Sequence, residues 1–167
     1  MQQPPLLPEE TLVRVLRLAK LDGMGSVVLG TVFALMAAGA QEAPFAVIGL
    51  LAAGAGAIEL HGASLLQEGE ERGMNWLIAS QPFLLLVIWC YCGLRFVHFE
   101  LPTLPEGMSE FATLGAAQWG MSVEAYFRLL NTITVSVLAL VALIYQGGMT
   151  LYYWRRRRPV AQALALE

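Results

Sequence analysis

Four apolar runs of roughly 17 to 30 residues, joined by polar connections, constrain this chain more than any other feature. Each is long enough to cross a hydrocarbon core about 30 Å thick at about 1.5 Å per helical residue. They fall near residues 24–40, 44–66, 76–97 and 125–154. Backbone N–H and C=O groups in lipid must be satisfied inside their own segment, so the runs are expected to be helices. Composition agrees: only 14% of residues are charged, against about 25% in ordinary soluble domains. The expected fold is all-α, a polytopic membrane protein built as a four-transmembrane-helix bundle. At 167 residues, such a bundle leaves no stretch for a separate soluble domain.

The flanking segments complete the expected organisation. "MQQPPLLPEE" is not read as a secretory signal peptide, because it lacks a basic first segment and puts prolines where an apolar core should start. In residues 1–23, Arg14, Arg17 and Lys20 recur every third position, with Leu12, Val15, Leu16 and Ala19 on the other side. That pattern predicts an amphipathic N-terminal interfacial helix, with "DGMG" as a hinge into the first span. The alternative is a cytosolic extension of that span. The external loop, 98–122, has room for a short interfacial helix ending at Trp119, and Ser122 suits the N-cap of the last span. Residues 155–167 form a basic tail, whose Arg155, Arg156, Arg157 and Arg158 follow "YYW" as an interfacial anchor.

Basic residues also predict orientation. Arg14, Arg17, Lys20, Arg72 and the arginine run share one side of the four-span arrangement, while only Arg95 and Arg128 fall on the other. The positive-inside rule then puts both termini in the cytoplasm. Nine arginines to one lysine, with abundant alanine and glycine, hint at a GC-rich bacterial genome, hence a bacterial inner membrane. The bilayer is the expected partner, with a further membrane protein as a possible one. No nucleic-acid partner is expected of arginines that lie beside a span.

Against this apolar background, "AAGAGAIELHGASLL" carries Glu59 and His61 inside the second run. Glu59 lies about 12 Å from the inner end of its span. The same count along the other spans reaches Thr31, Gln81 beside Pro82, and Tyr145 with Gln146. A polar group thus recurs at one level in every helix. Thr31, Glu59, Gln81 and Gln146 are the candidates for a buried polar layer, and the helix-interior proline frees a carbonyl there. Ala55, Gly56, Gly62 and Ala63 leave small faces beside Glu59, and Ser26, Gly30, Ala34 and Ala38 form a matching ridge on the first span. Such ridges predict close helix packing. Intramembrane acids often mark an ion or proton path, but an acid hydrogen-bonded to Gln81 or Gln146 also fixes helix register. Both readings of Glu59 stay open on sequence.

His61 is about 200° around the helix from Glu59 and shares a face with Ser64 and Glu68. It is read as an interfacial histidine paired with Glu68, and alternatively as a pH-sensitive group at the inner mouth. Arg95, His98, Glu100, Glu124 and Arg128 cluster outside, with Glu124 and Arg128 spaced to pair along a helix. They read as interfacial charges; the sharper alternative is an outer mouth, continued inward by Asn131, Thr132, Thr134 and Ser136.

Enzymatic chemistries fit poorly. His61 and His98 sit near opposite ends of neighbouring spans, about 25 Å apart by rise, so one haem or metal ion cannot use both. "GASL" offers a serine without a base oriented by a third group. "EGEERGMN" has no histidines at metal-ligand spacing. Cys90 and Cys92 point to different sides of one helix, which favours neither a disulfide nor a metal site. No catalytic residue, metal centre or cofactor is expected. The leading expectation is a small homo-oligomeric channel or transporter subunit using Glu59, Gln81, Gln146, Thr31 and His61, with Arg95, His98, Glu124 and Arg128 at its outer mouth. The alternative is a non-catalytic membrane scaffold or accessory subunit. Glutamine at position 59 should change flux on the first reading and stability alone on the second.

Overall fold

The computed structural model describes residues 7–99 and 106–165. Five helices follow one another in it, with no strand among the described residues: α1 (Pro8–Gly39), α2 (Ala43–Gln67), α3 (Gly73–Val97), α4 (Glu106–Gln118) and α5 (Val123–Leu164). All but α4 are long and apolar enough to cross a membrane. The chain is thus an all-α, multi-pass membrane protein. It divides into two compact units, one of Met1–Ile88 with Ala142–Glu167 and the other of Trp89–Val141.

Helix ends follow local chemistry. Pro8 occupies the first turn of α1, where its missing N–H costs nothing, and Glu9 and Glu10 sit at the positive end of the helix dipole. Ser122 caps α5, its Oγ accepting from Ala125 N–H at 3.2 Å. Helices α1, α2 and α4 end in the same way: a left-handed residue follows the cap, and two N–H groups fold back onto carbonyls of the last turn. Gly69 and Gly120 fill that position after α2 and α4, but Gln41 fills it after α1 with φ 61. A side chain there costs about 1 kcal/mol that glycine avoids.

The first unit holds the core. The start of α1, the end of α2, the start of α3 and the end of α5 meet around Leu12, Val15, Ala19, Ala63, Leu66, Met74, Leu77, Tyr153 and Val160. This corrects the N-terminal expectation. Helix α1 is unbroken from Pro8 to Gly39, so "DGMG" makes no hinge. Val15 and Ala19 are fully buried and Leu12 nearly so, which means that the apolar stripe faces other helices and not a membrane surface. Residues 8–23 are therefore an extension of the first span. Likewise, α5 carries Arg155–Arg158 on a continuing helix 42 residues long, about 63 Å against a hydrocarbon core of about 30 Å. Arg14, Arg17, Lys20, Arg155, Arg157 and Arg158 are exposed on the extended parts, and Arg156 is half-buried with its guanidinium 5.7 Å from the Tyr152 ring.

Toward the α1–α2 turn the seam between these two helices is set by glycine. A Cβ placed on Gly30 would lie 2.5 Å from Ala53 N, and one on Gly49 2.6 Å from Ala34 N. The backbones touch, which supplies the dispersion contact that holds helices together in lipid. Gly30 and Ala34 belong to the small ridge expected on the first span. In the second unit, α3 and α5 are joined by Trp89 Nε1 to Ala139 O (3.4 Å), Cys92 Sγ to Val135 O (3.7 Å) and Asn131 Nδ2 to Arg95 O (3.3 Å). Leu130, Ile133, Val137, Leu140 and Val141 are exposed there on α5, a face suited to lipid.

Gly30→Val should destabilise the protein by more than about 2 kcal/mol, because a rigid side chain meets backbone that cannot yield. Gly25→Ala, with open space at its Cβ, should be neutral or mildly stabilising. Reversible unfolding in mixed micelles reads both. In the same assay Gln41→Gly should raise stability by about 0.5 to 1 kcal/mol.

Candidate functional site

The polar residues of the first unit converge on Glu59. Its neighbours one turn away, Ala55, Gly56, Gly62 and Ala63, are all buried, so its longer side chain is the one that reaches across the helix packing. Glu59 itself is 1% exposed. Its Oε1 accepts from the Tyr153 hydroxyl at 2.7 Å and from Gln81 Nε2 at 3.0 Å. Gln81 is fully buried on α3, and the same Nε2 donates to Asp22 Oδ2 on α1 at 3.3 Å. The other oxygen of Asp22, Oδ1, accepts from the Tyr145 hydroxyl at 3.1 Å. One connected chain, Tyr145–Asp22–Gln81–Glu59–Tyr153, therefore takes a side chain from each of α1, α2 and α3 and two from α5.

A primary amide nitrogen carries two N–H donors, and Gln81 spends one on each carboxyl. Two oxygens sharing one nitrogen at these distances are at most about 6 Å apart, where two negative charges repel by about 3 kcal/mol at an effective dielectric near 20. Ion pairs among the described residues join Arg72 to Glu70, Arg128 to Glu124 and Arg157 to Glu71, and none of these includes Asp22 or Glu59. The pair thus lacks a built-in cation. Gln81 Oε1 is buried and has no hydrogen-bond partner, although buried acceptors ordinarily find one.

The sequence-derived layer is joined only in part. Glu59 and Gln81 meet as expected. Thr31 is exposed, because α1 begins four turns earlier than its apolar run and the α1 residue opposite Glu59 is Asp22. Gln146 is buried, but its Oε1 is unpartnered and its neighbour Tyr145 makes the bond to α1 instead. His61 is exposed and packs edge-on against Trp76, with ring centroids 5.5 Å apart. Glu68 takes its hydrogen bond from Ser64 Oγ at 3.2 Å, not from His61.

In the second unit Arg128 pairs with Glu124 at 3.0 Å, on an exposed surface, and lies 6.0 Å from the Phe99 ring centre. His98 is exposed and Arg95 half-buried, while Glu100 falls outside the described residues. Thr132, Thr134 and Ser136 are exposed, and Thr132 Oγ1 donates to its own helix at Arg128 O. The polar streak beyond Arg128 thus divides: Thr132, Thr134 and Ser136 face outward, while Asn131 is half-buried against α3.

Asp22, Tyr145 and Tyr153 are the members that sequence reasoning left out or assigned elsewhere. Asp22 was hidden by the hinge reading of "DGMG", and Tyr153 by the aromatic belt. The signal for Asp22 lay in the small ridges: setting Ser26 against Gly56 in an antiparallel hairpin brings Asp22 within about one residue of the level of Glu59. No protein-family model matches the chain, and neither does any curated protein or solved structure compared with it.

Tyr153→Phe removes a fully buried donor at 2.7 Å from Glu59 and should cost about 1 to 3 kcal/mol of stability. Tyr145→Phe, at a residue 49% exposed, should cost less than about 1 kcal/mol. Equilibrium unfolding of the two variants side by side checks the order.

Proposed function

We propose that the protein is a membrane transport subunit, with the Asp22–Glu59 pair as its proton- or cation-binding group and Gln81, Tyr145 and Tyr153 as its supporting shell. One observation carries this reading: two carboxyls share a buried amide among apolar helices, and neither has a basic partner among the described residues. Charge placed in such a medium is expensive, so the pair calls for compensating positive charge from a proton or a cation. Intramembrane carboxyls of this kind are the usual binding groups of ion and proton pathways.

The geometry favours a carrier over an open pore. The bound ion would enter from the end of the first unit that holds the start of α1 and the end of α5, where the arginines gather. The positive-inside rule makes that the cytoplasmic side, in keeping with a bacterial inner-membrane location. On the other side of the layer the α1–α2 seam is closed by backbone contact at Gly30 and Gly49. Passage along that seam therefore requires helix movement, and an oligomer fits the exposed apolar length of α5.

Proton and cation flux into liposomes tests the proposal. Wild-type protein should carry a flux that Glu59→Gln lowers at least tenfold, with assembly and helix content unchanged. No wild-type flux under any imposed gradient of pH, cation or voltage would overturn it. The carboxyl pair would then serve to hold four helices in register, as a scaffold subunit needs.

A further inference from the structure

The arginines near the end of α5 do not form one uniform belt. We propose that Arg155 and Arg156, with the recess that begins at Gly148, form a specific site for one anionic phospholipid of the leaflet at that end of the helix. The site is separate from the Glu59 layer and does not depend on the transport reading.

The recess is built from one face of α5. Gly148, Leu151, Tyr152, Arg155 and Arg156 line a cavity of about 360 Å³, a volume in the range of small-molecule sites. Their spacing sets them along a single helical stripe. Gly148 and Leu151 lie in the apolar run, whereas the arginines follow directly on its end at Trp154. An exposed tryptophan at that point marks the headgroup level. From Gly148 to Arg156 the helix rises about 12 Å. The stripe therefore joins hydrocarbon depth to phosphate depth, as a phospholipid does.

Glycine makes the recess. A Cβ on Gly147 or Gly148 would meet nothing within 4 Å, whereas one on Gly30 or Gly49 would run into a neighbouring backbone. Among the described residues no other helix packs at Gly148, so the apolar part of the stripe is left to an acyl chain.

Charge selects the headgroup. Ion pairs among the described residues engage Arg157, with Glu71 at 4.0 Å, but neither Arg155 nor Arg156. The Arg156 guanidinium lies 5.7 Å from the centre of the Tyr152 ring, a contact that steadies the planar group without using an acid. Two such guanidiniums on one stripe suit the oxygens of a phosphodiester, which arginine binds through paired N–H donors. Basic pockets beside membrane spans are the usual sites for anionic headgroups. Two other recesses contain arginine, but carboxyls line them as well. Glu9 and Glu10 stand with Arg14 and Arg17 in one, and Glu71 with Arg157 and Arg158 in the other, where Arg155 forms the shared wall. An anion is therefore favoured most in the recess that carries no carboxyl. An acidic protein segment would answer the arginines but would not enter lipid to cover Gly148 and Leu151. A lipid answers both.

The test uses the full-length protein in neutral detergent micelles. It is titrated with phosphatidylglycerol and, separately, with phosphatidylcholine, and bound lipid is counted by native mass spectrometry. One saturable phosphatidylglycerol per chain is expected, held at least tenfold more tightly than phosphatidylcholine. Arg155→Gln combined with Arg156→Gln should weaken binding at least tenfold. Arg157→Gln combined with Arg158→Gln removes the same formal charge outside the recess and should change binding less than threefold. Gly148→Leu fills the recess without altering charge and should weaken binding several-fold. Gel filtration and circular dichroism check each variant; Arg155→Gln alone, at an exposed position, carries the test if the double variant misfolds. Absence of saturable binding, or equal affinity for the two lipids, would overturn the proposal. So would comparable losses in the two arginine pairs, which mark diffuse attraction to a basic segment. Binding indifferent to Gly148→Leu, or displaced fully by glycerol phosphate or a hexaglutamate peptide, would also overturn it, because the arginines would then hold a soluble anion and not a lipid.

Discussion

The sharing of one buried amide between two carboxyls organises the rest of this molecule. An acid in an apolar helix bundle needs donors, and the donors must come from neighbouring helices because its own backbone is committed to the helix. Glu59 takes one from α3 and one from α5, and Gln81 extends the link to α1. The bonds are directional, unlike the apolar contacts around them, so they fix which residues stand at one level. Gly30 and Gly49 set how closely α1 and α2 approach; the polar chain sets their register against α3 and α5.

The layer lies where apolar bundle gives way to a core rich in side-chain contacts. On one side, Leu12, Val15, Leu66, Leu77 and Val160 pack as they would in a soluble helical protein. On the other, glycine and alanine bring backbones together, as membrane helices do. A polar cluster at that boundary is anchored from both sides while remaining near water through Asp22. On the transport reading proposed above, an ion would be loaded at this boundary.

Much of the architecture was legible in the sequence because bilayer thickness and backbone satisfaction leave few choices. Span length announced α2 and α3 to within a few residues, Ser122 announced the cap of α5, and the ridge containing Gly30 and Ala34 announced the α1–α2 seam. The site was legible only in part. Glu59 stood out because a carboxyl in an apolar run is costly, and Gln81 followed from its depth. Thr31 failed because depth was measured from the end of an apolar run, whereas α1 extends four turns past it. Asp22 and Tyr153 were concealed for a related reason: hydropathy marks where lipid ends, not where a helix does. Residues just beyond the apolar run look like loop or belt until tertiary packing returns them to the bundle.

The most direct test of the shared amide is a double-mutant cycle in stability between Asp22→Asn and Glu59→Gln, measured by equilibrium unfolding in mixed micelles. The two side chains sit on different helices and are connected through Gln81, so their effects should be non-additive by more than about 0.5 kcal/mol, as for residues in one hydrogen-bond network. Additive effects within that margin would contradict a connected pair, and with it the layer on which this account of the protein is built.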